Sequence, residues 1–90
     1  MCRNIRTLFN FEPPATEHEI RAAATQFARK LSGFTNPSKV NEPAFDRAVD
    51  DISKAVRTLL QSLETNRPPR DREEEARKAK ERAKQRYAMF

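Results

Sequence analysis

The 90 residues predict an all-α fold organised as an antiparallel helical hairpin. Three observations predict it. Between Phe45 and Leu63, apolar residues fall at Phe45, Ala48, Val49, Ile52, Ala55, Val56, Leu59, Leu60 and Leu63. Those steps of three and four share one side of a helix. Thr16 followed by Glu19 reads as a capping box, and Ile20, Ala23, Ala24, Phe27, Ala28 and Leu31 behind it form a second stripe. The chain holds one glycine, Gly33, among abundant Ala, Arg, Lys and Glu, a composition that suits helices and disfavours a turn-rich β protein.

In chain order, Ile5, Leu8 and Phe9 have helical spacing and predict a short helical turn over residues 4–9. Phe9 and Phe11 also alternate as in a strand, but no partner strand is evident, and an unpaired strand is not stable. Both phenylalanines are expected to tuck into the core. Pro13 and Pro14 end this segment. The capping box then starts a helix over about 17–32. Arg29 and Lys30 suit its negative end, and Gly33 supplies a left-handed cap.

Asn36-Pro37-Ser38 marks a turn in the following loop, with Phe34 and Val40 as its expected anchors to the core. Asn41 is expected to cap the organising helix, over about 42–64, and Pro43 fits its first turn. The stripe of that helix is expected to be covered by Ile20, Ala24, Phe27 and Leu31 on one part and by Ile5, Leu8, Phe9 and Phe34 on another. Leu59 is thus a core residue in this reading, and Leu59→Asp is expected to unfold the domain.

Pro68 and Pro69 mark a linker, and Asp71 with Glu74 repeats the capping pattern. A charged helix over about 72–87 follows, with a narrow seam of Ala76, Ala79, Ala83, Tyr87 and Phe90. Glu73–Arg77 and Glu74–Lys78 are spaced for side-chain pairs. The domain division expected is a compact helical unit over 1–65 and a proline linker with a basic helix over 66–90.

Charge follows that division. Residues 1–65 carry nine basic and eight acidic side chains, and residues 66–90 carry nine and five, giving +1 and +4 of the net +5. Arg77, Lys78, Lys80, Arg82, Lys84 and Arg86, with Tyr87 as an aromatic neighbour, are the candidate binding residues. About five phosphate contacts along them would give single-strand binding a log–log salt slope near −3.5. RNA and a protein partner both suit such a helix.

Other chemistry has fewer supports. A single glycine excludes glycine-rich phosphate loops. One histidine, His18, leaves no zinc constellation and no His-based catalytic set; it reads as a solvated surface residue. Glu12, Glu17, Glu19 and Glu42 form no acid pair, and Asp50-Asp51 has no second carboxylate cluster to share a metal. Cys2 is the one candidate reactive residue. Removal of Met1 would join amine and thiol on it, and Arg3 and Arg6 would favour the thiolate. The alternative is a small side chain packed at the edge of the fold. One cysteine allows no intrachain disulfide, no run approaches the roughly 20 apolar residues of a membrane span, and Met1–Arg6 lack a secretory core. The expectation is a cytoplasmic, non-catalytic binding or adaptor protein, without cofactor, metal or membrane partner and of open oligomeric state. The alternatives are RNA or ribosome association and thiol or metal chemistry at Cys2.

Two resemblances accompany these readings. Met1-Cys2-Arg3-Asn4-Ile5, Thr7-Leu8-Phe9-Asn10-Phe11, Pro13-Pro14-Ala15-Thr16, Gly33-Phe34-Thr35, Pro37-Ser38-Lys39 and Pro68-Pro69-Arg70-Asp71-Arg72 resemble a family of small, mostly bacterial proteins classed as a domain of unknown function. The resemblance spans nearly the whole chain and implies no activity, cofactor or binding residue. More loosely, Ala15–Ala23 resembles the start of the second helix of J-domains, the co-chaperone modules of heat-shock chaperones, and Phe45–Leu60 is similar to their third. The J-domain His-Pro-Asp triad is replaced by Asn36-Pro37-Ser38, so that resemblance implies a J-like architecture and, as a further alternative function, a degenerate J-like co-chaperone.

Overall fold

A computed structural model of the chain describes residues 4–88, with side chains through Arg86. Two long helices form where the capping signals stand. The first, α1 (Glu17–Ser32), opens on Thr16, whose hydroxyl accepts from the Glu19 N–H at 3.2 Å while the Glu19 carboxylate accepts from the Thr16 N–H at 3.0 Å. The box thus satisfies two helix-start donors reciprocally. It closes on Gly33, at φ 79, whose N–H donates to the Arg29 carbonyl at 2.9 Å. An added Cβ at Gly33 would meet nothing, so the left-handed backbone alone calls for glycine there.

The second, α2 (Glu42–Ser62), begins differently from the expectation. Asn41 stands at the cap position, but its amide donates to Ser38 Oγ at 3.0 Å and does not cap the helix. The Ser38 carbonyl accepts the Asn41 and Glu42 N–H groups, both at 2.9 Å, so the Asn36-Pro37-Ser38 turn itself launches the helix. Pro43 sits in the first turn as expected.

The helices run antiparallel, and ion pairs fix their register. Arg21 meets Asp50 at 2.7 Å, and Arg57 meets Glu17. The Arg57 guanidinium holds the Glu17 carboxyl below its usual range. Between the helices lie Ala24, Ala28 and Val49, with Phe45 and Ile52 packed against them and Ile20 buried beside the same face. Ser53 is also buried, and its hydroxyl has no hydrogen-bond partner among the described residues.

This core is smaller than the stripe predicts. Phe27, Leu31, Leu59 and Leu63 are substantially exposed, with Leu59 at 54%. At about 100° per residue, Ala23 and Phe27 of α1 and Ala48, Ala55 and Leu59 of α2 fall on one flank of the hairpin, opposite the flank that carries the ion pairs. One partner helix cannot reach that far around α2, so the flank stays open. Leu59 is therefore not a core residue. Phe34 and Val40, at 44% and 84% exposed, do not anchor the loop.

Residues 4–9 also depart from the expected helical turn: they form bends and extended backbone along the back of α1. Asn4 donates its N–H to Gln26 Oε1 at 3.0 Å and Arg6 reaches Glu19 at 3.2 Å. The segment continues into a short strand, β1 (Phe11–Glu12), which pairs in parallel with β2 (Arg70–Asp71), Phe11 opposite Arg70 and Glu12 opposite Asp71. The partner strand absent from the sequence reading is this two-residue stretch after the prolines. Phe9 and Phe11 are half-buried near it and line a pocket with Ile20 and Leu60 at one end of the hairpin.

The last helix, α3 (Arg72–Ala88), follows β2 directly. Among the described residues, the extensive helix-on-helix packing is that of α1 against α2. As a result the chain has a radius of gyration of 16.2 Å, against about 12 Å for a compact domain of this length. Its accessible surface is 7668 Å², where a compact monomer of this mass exposes roughly 5,400 Å².

Candidate functional site

The site is built where the two ends of the chain meet. Asn10, at φ 63, adopts the left-handed backbone that asparagine tolerates better than most residues. This turns its amide toward the proline linker, where Nδ2 donates to the carbonyls of Arg67 at 3.4 Å and Pro68 at 3.2 Å. Its own carbonyl accepts the Arg70 N–H at 2.8 Å. The linker is thereby fastened to β1 along its backbone.

Arg72 then locks the base of α3. Its Nε donates to the Pro13 carbonyl at 2.7 Å, and its two terminal nitrogens reach both oxygens of Glu19 at 2.9 Å. Such a fork-on-carboxylate pair is charge-assisted and geometrically specific. Glu19 is 15% exposed and also accepts from Arg6 and from the Thr16 N–H. Arg72 first, and the Thr16 N–H second, hold its carboxyl down at about 2. Asp71 caps α3 by accepting the Glu74 N–H at 3.0 Å. Arg70 and Arg72 both lie over the Phe11 ring, 5.7 and 5.6 Å from its centre, within cation–π range.

Beyond this clamp, α3 displays its charge. Arg77, Lys78, Lys80, Arg82, Lys84 and Arg86 are all exposed. Lys78 pairs with Glu74 at 3.8 Å, and the expected Glu73–Arg77 pair is not formed. The other five have no carboxylate within 4.0 Å among the described residues. Helical geometry sorts the six into two rows on roughly opposite edges: Arg77, Lys80 and Lys84 on one, Lys78, Arg82 and Arg86 on the other. Ala76, Ala79 and Ala83 separate the rows on one side, Glu74 and Glu81 on the other. A phosphate backbone following one edge meets three cations, not five. Tyr87 belongs to α3 at the next position of the first row by spacing, and its side chain, like Cys2, lies outside the described residues.

A cleft of about 510 Å³ opens between the N-terminal segment and α3. Arg6, Arg70, Arg72 and Arg82 line it, together with Glu19 and Glu75. Its apolar lining comes from Leu8, Phe11, Ala76 and Ala79. Of these arginines, charge patterning in the sequence marks only Arg82 as a binding candidate. The signal for Arg70 and Arg72 was the Pro68–Arg72 stretch, which marks a family and not a contact; nothing local relates them to Glu19, more than 50 residues away. No cluster of His, Cys, Asp and Glu able to hold a metal occurs among the described residues, nor a helix long and apolar enough to cross a membrane.

A family described as Uncharacterized conserved protein (DUF2277) matches residues 1–78. The chain belongs to that family. No curated protein and no solved structure matches it. The DUF2277 match takes in the whole clamp, from Arg6 to Arg72, and ends at Lys78, so Lys80, Arg82, Lys84 and Arg86 lie beyond it.

Proposed function

We propose that this DUF2277 protein is a non-catalytic binding module, and that the Arg77–Lys80–Lys84 row of α3 follows the phosphates of single-stranded RNA. One observation carries the reading. These three cations are exposed, evenly spaced and without carboxylate partners among the described residues, on a helix clamped at its base. Cations so placed release condensed counterions when they meet phosphate.

Fluorescence anisotropy with a labelled single-stranded RNA tests it. Three contacts give a log–log salt slope of about −2, or roughly 15- to 20-fold weaker binding at 200 than at 50 mM salt. The variant carrying Arg77→Gln, Lys80→Gln and Lys84→Gln should lose that dependence and most of the affinity. Absence of binding at low salt, or equal binding by the variant, overturns the proposal.

A protein partner is the second reading, and the open apolar flank favours it. Phe27 and Leu59 are large and exposed on that flank, and exposed apolar surface of this kind marks interaction sites. Association that ignores both salt and the three substitutions is its signature.

A further inference from the structure

The arginine-lined cleft between the N-terminal segment and α3 is separate from the row assigned to RNA, and its chemistry is more specific. Four guanidinium groups face two carboxylates across about 510 Å³. The two carboxylates do not neutralise the four evenly. Glu19 is committed to Arg72 and Arg6. Arg70 and Arg82 have no carboxylate within 4.0 Å among the described residues. They approach the cleft from different elements, Arg70 from β2 and Arg82 from the third turn of α3. Two planar forks held apart on separate elements suit a group whose several oxygens can be shared between them. A phosphate monoester has three such oxygens and nearly two charges. A monocarboxylate has two oxygens and one charge, so it satisfies one fork and leaves the other.

The rest of the lining describes what the phosphate is attached to. Leu8, Phe11 and the alanines at 76 and 79 supply the cleft's apolar lining. Alanine there keeps α3 narrow and leaves the space open, where a larger side chain would fill it. The volume falls in the range of small-molecule sites, about 300–1,000 Å³, and the mix of apolar walls with a few convergent polar groups is theirs as well.

We propose that this cleft binds a phosphate monoester carried on an apolar or aromatic body, with Arg70 and Arg82 holding the phosphate and Leu8, Phe11, Ala76 and Ala79 enclosing the body. Arg72 and Arg6 are positioning residues: they keep α3 and the N-terminal segment at the right separation through Glu19. The assignment does not depend on RNA binding by the outer row.

Isothermal titration of the full chain with phenyl phosphate, inorganic phosphate and phenol tests it. Phenyl phosphate should saturate a single site and bind about tenfold tighter than inorganic phosphate, since its ring leaves water for an apolar wall. Phenol should show no saturable binding. Arg70→Gln and Arg82→Gln should each weaken phenyl phosphate about tenfold, the loss of one charge-assisted contact, and Arg82→Gln should do so without changing the thermal midpoint. Arg77→Gln, on the outer row, should leave it unchanged. Lack of saturation up to about 10 mM, phenol binding as tightly as phenyl phosphate, or Arg77→Gln weakening binding as much as Arg82→Gln overturns the proposal.

Discussion

Glu19→Gln separates the fold's two halves by a single atom replacement. The glutamate joins α1 to α3 through Arg72 and to the N-terminal segment through Arg6, while closing the capping box with Thr16. Glutamine keeps one acceptor oxygen and turns an NH₂ toward a guanidinium, donor against donor. The fall of the Glu19 carboxyl from 4.5 to about 2 sets a ceiling near 3 kcal/mol. Partial exposure of the arginines brings that to about 1–2 kcal/mol. A depressed carboxyl stabilises the fold fully above its unfolded pKa, and the contribution is lost as pH falls through the folded one. Urea unfolding should therefore show Glu19→Gln less stable by about 1–2 kcal/mol at pH 7. The gap should close between pH 4.5 and about 2 as the native carboxyl takes up its proton. Hydrogen exchange should also report faster opening of α3, with α1 and α2 little affected. A gap that is independent of pH, or absent at pH 7, would refute the clamp as described.

Three further outcomes test the packing. Leu59→Asp should fold, with a stability change within about 0.5 kcal/mol because its side chain already meets water, whereas Val49→Ala, 3% exposed, should cost about 2 kcal/mol in the same urea titration. Ser53→Ala should leave stability unchanged or raise it by up to about 1 kcal/mol, since it removes a buried hydroxyl without a partner among the described residues; a clear loss in the melting curve would show that the hydroxyl is bonded. Asn10→Ala should cost about 1–2 kcal/mol, combining a left-handed backbone that alanine resists with two lost linker hydrogen bonds, and proteolysis should cut the 63–69 linker sooner in that variant.

The helices were legible in the sequence because their signals are local. Thr16 with Glu19, Gly33, and Pro43 behind Asn41 place the boundaries within a residue or two of where they stand. The β1–β2 pairing was not legible, since two residues carry no periodicity. The exposure of Leu59 was not legible either: periodicity shows which residues share a side of a helix, but not how far a neighbour reaches around it. At the candidate site, Arg82 could be named from charge alone. Arg70 and Arg72 could not, because what makes them matter is Glu19 in another helix. The same Glu19 is legible as half of a capping box, which it is, while its larger role depends on residues brought near only by folding.

The joining of Asn10–Pro13 to Arg67–Arg72 has a kinetic consequence. The hairpin can close through neighbouring contacts, but this seam must first draw together positions nearly 60 residues apart. The entropy of closing so long a loop falls sharply once α1 and α2 have already shortened the path between its ends. The hairpin should therefore form first and the seam last, with unfolding in reverse order. Opening the seam releases α3, uncovers the backbone edge of β1 and dismantles the arginine-lined cleft in one step. A ligand bridging Arg70 and Arg82 would work as a rivet across that seam, slowing the first step of unfolding while leaving the formation of the hairpin untouched.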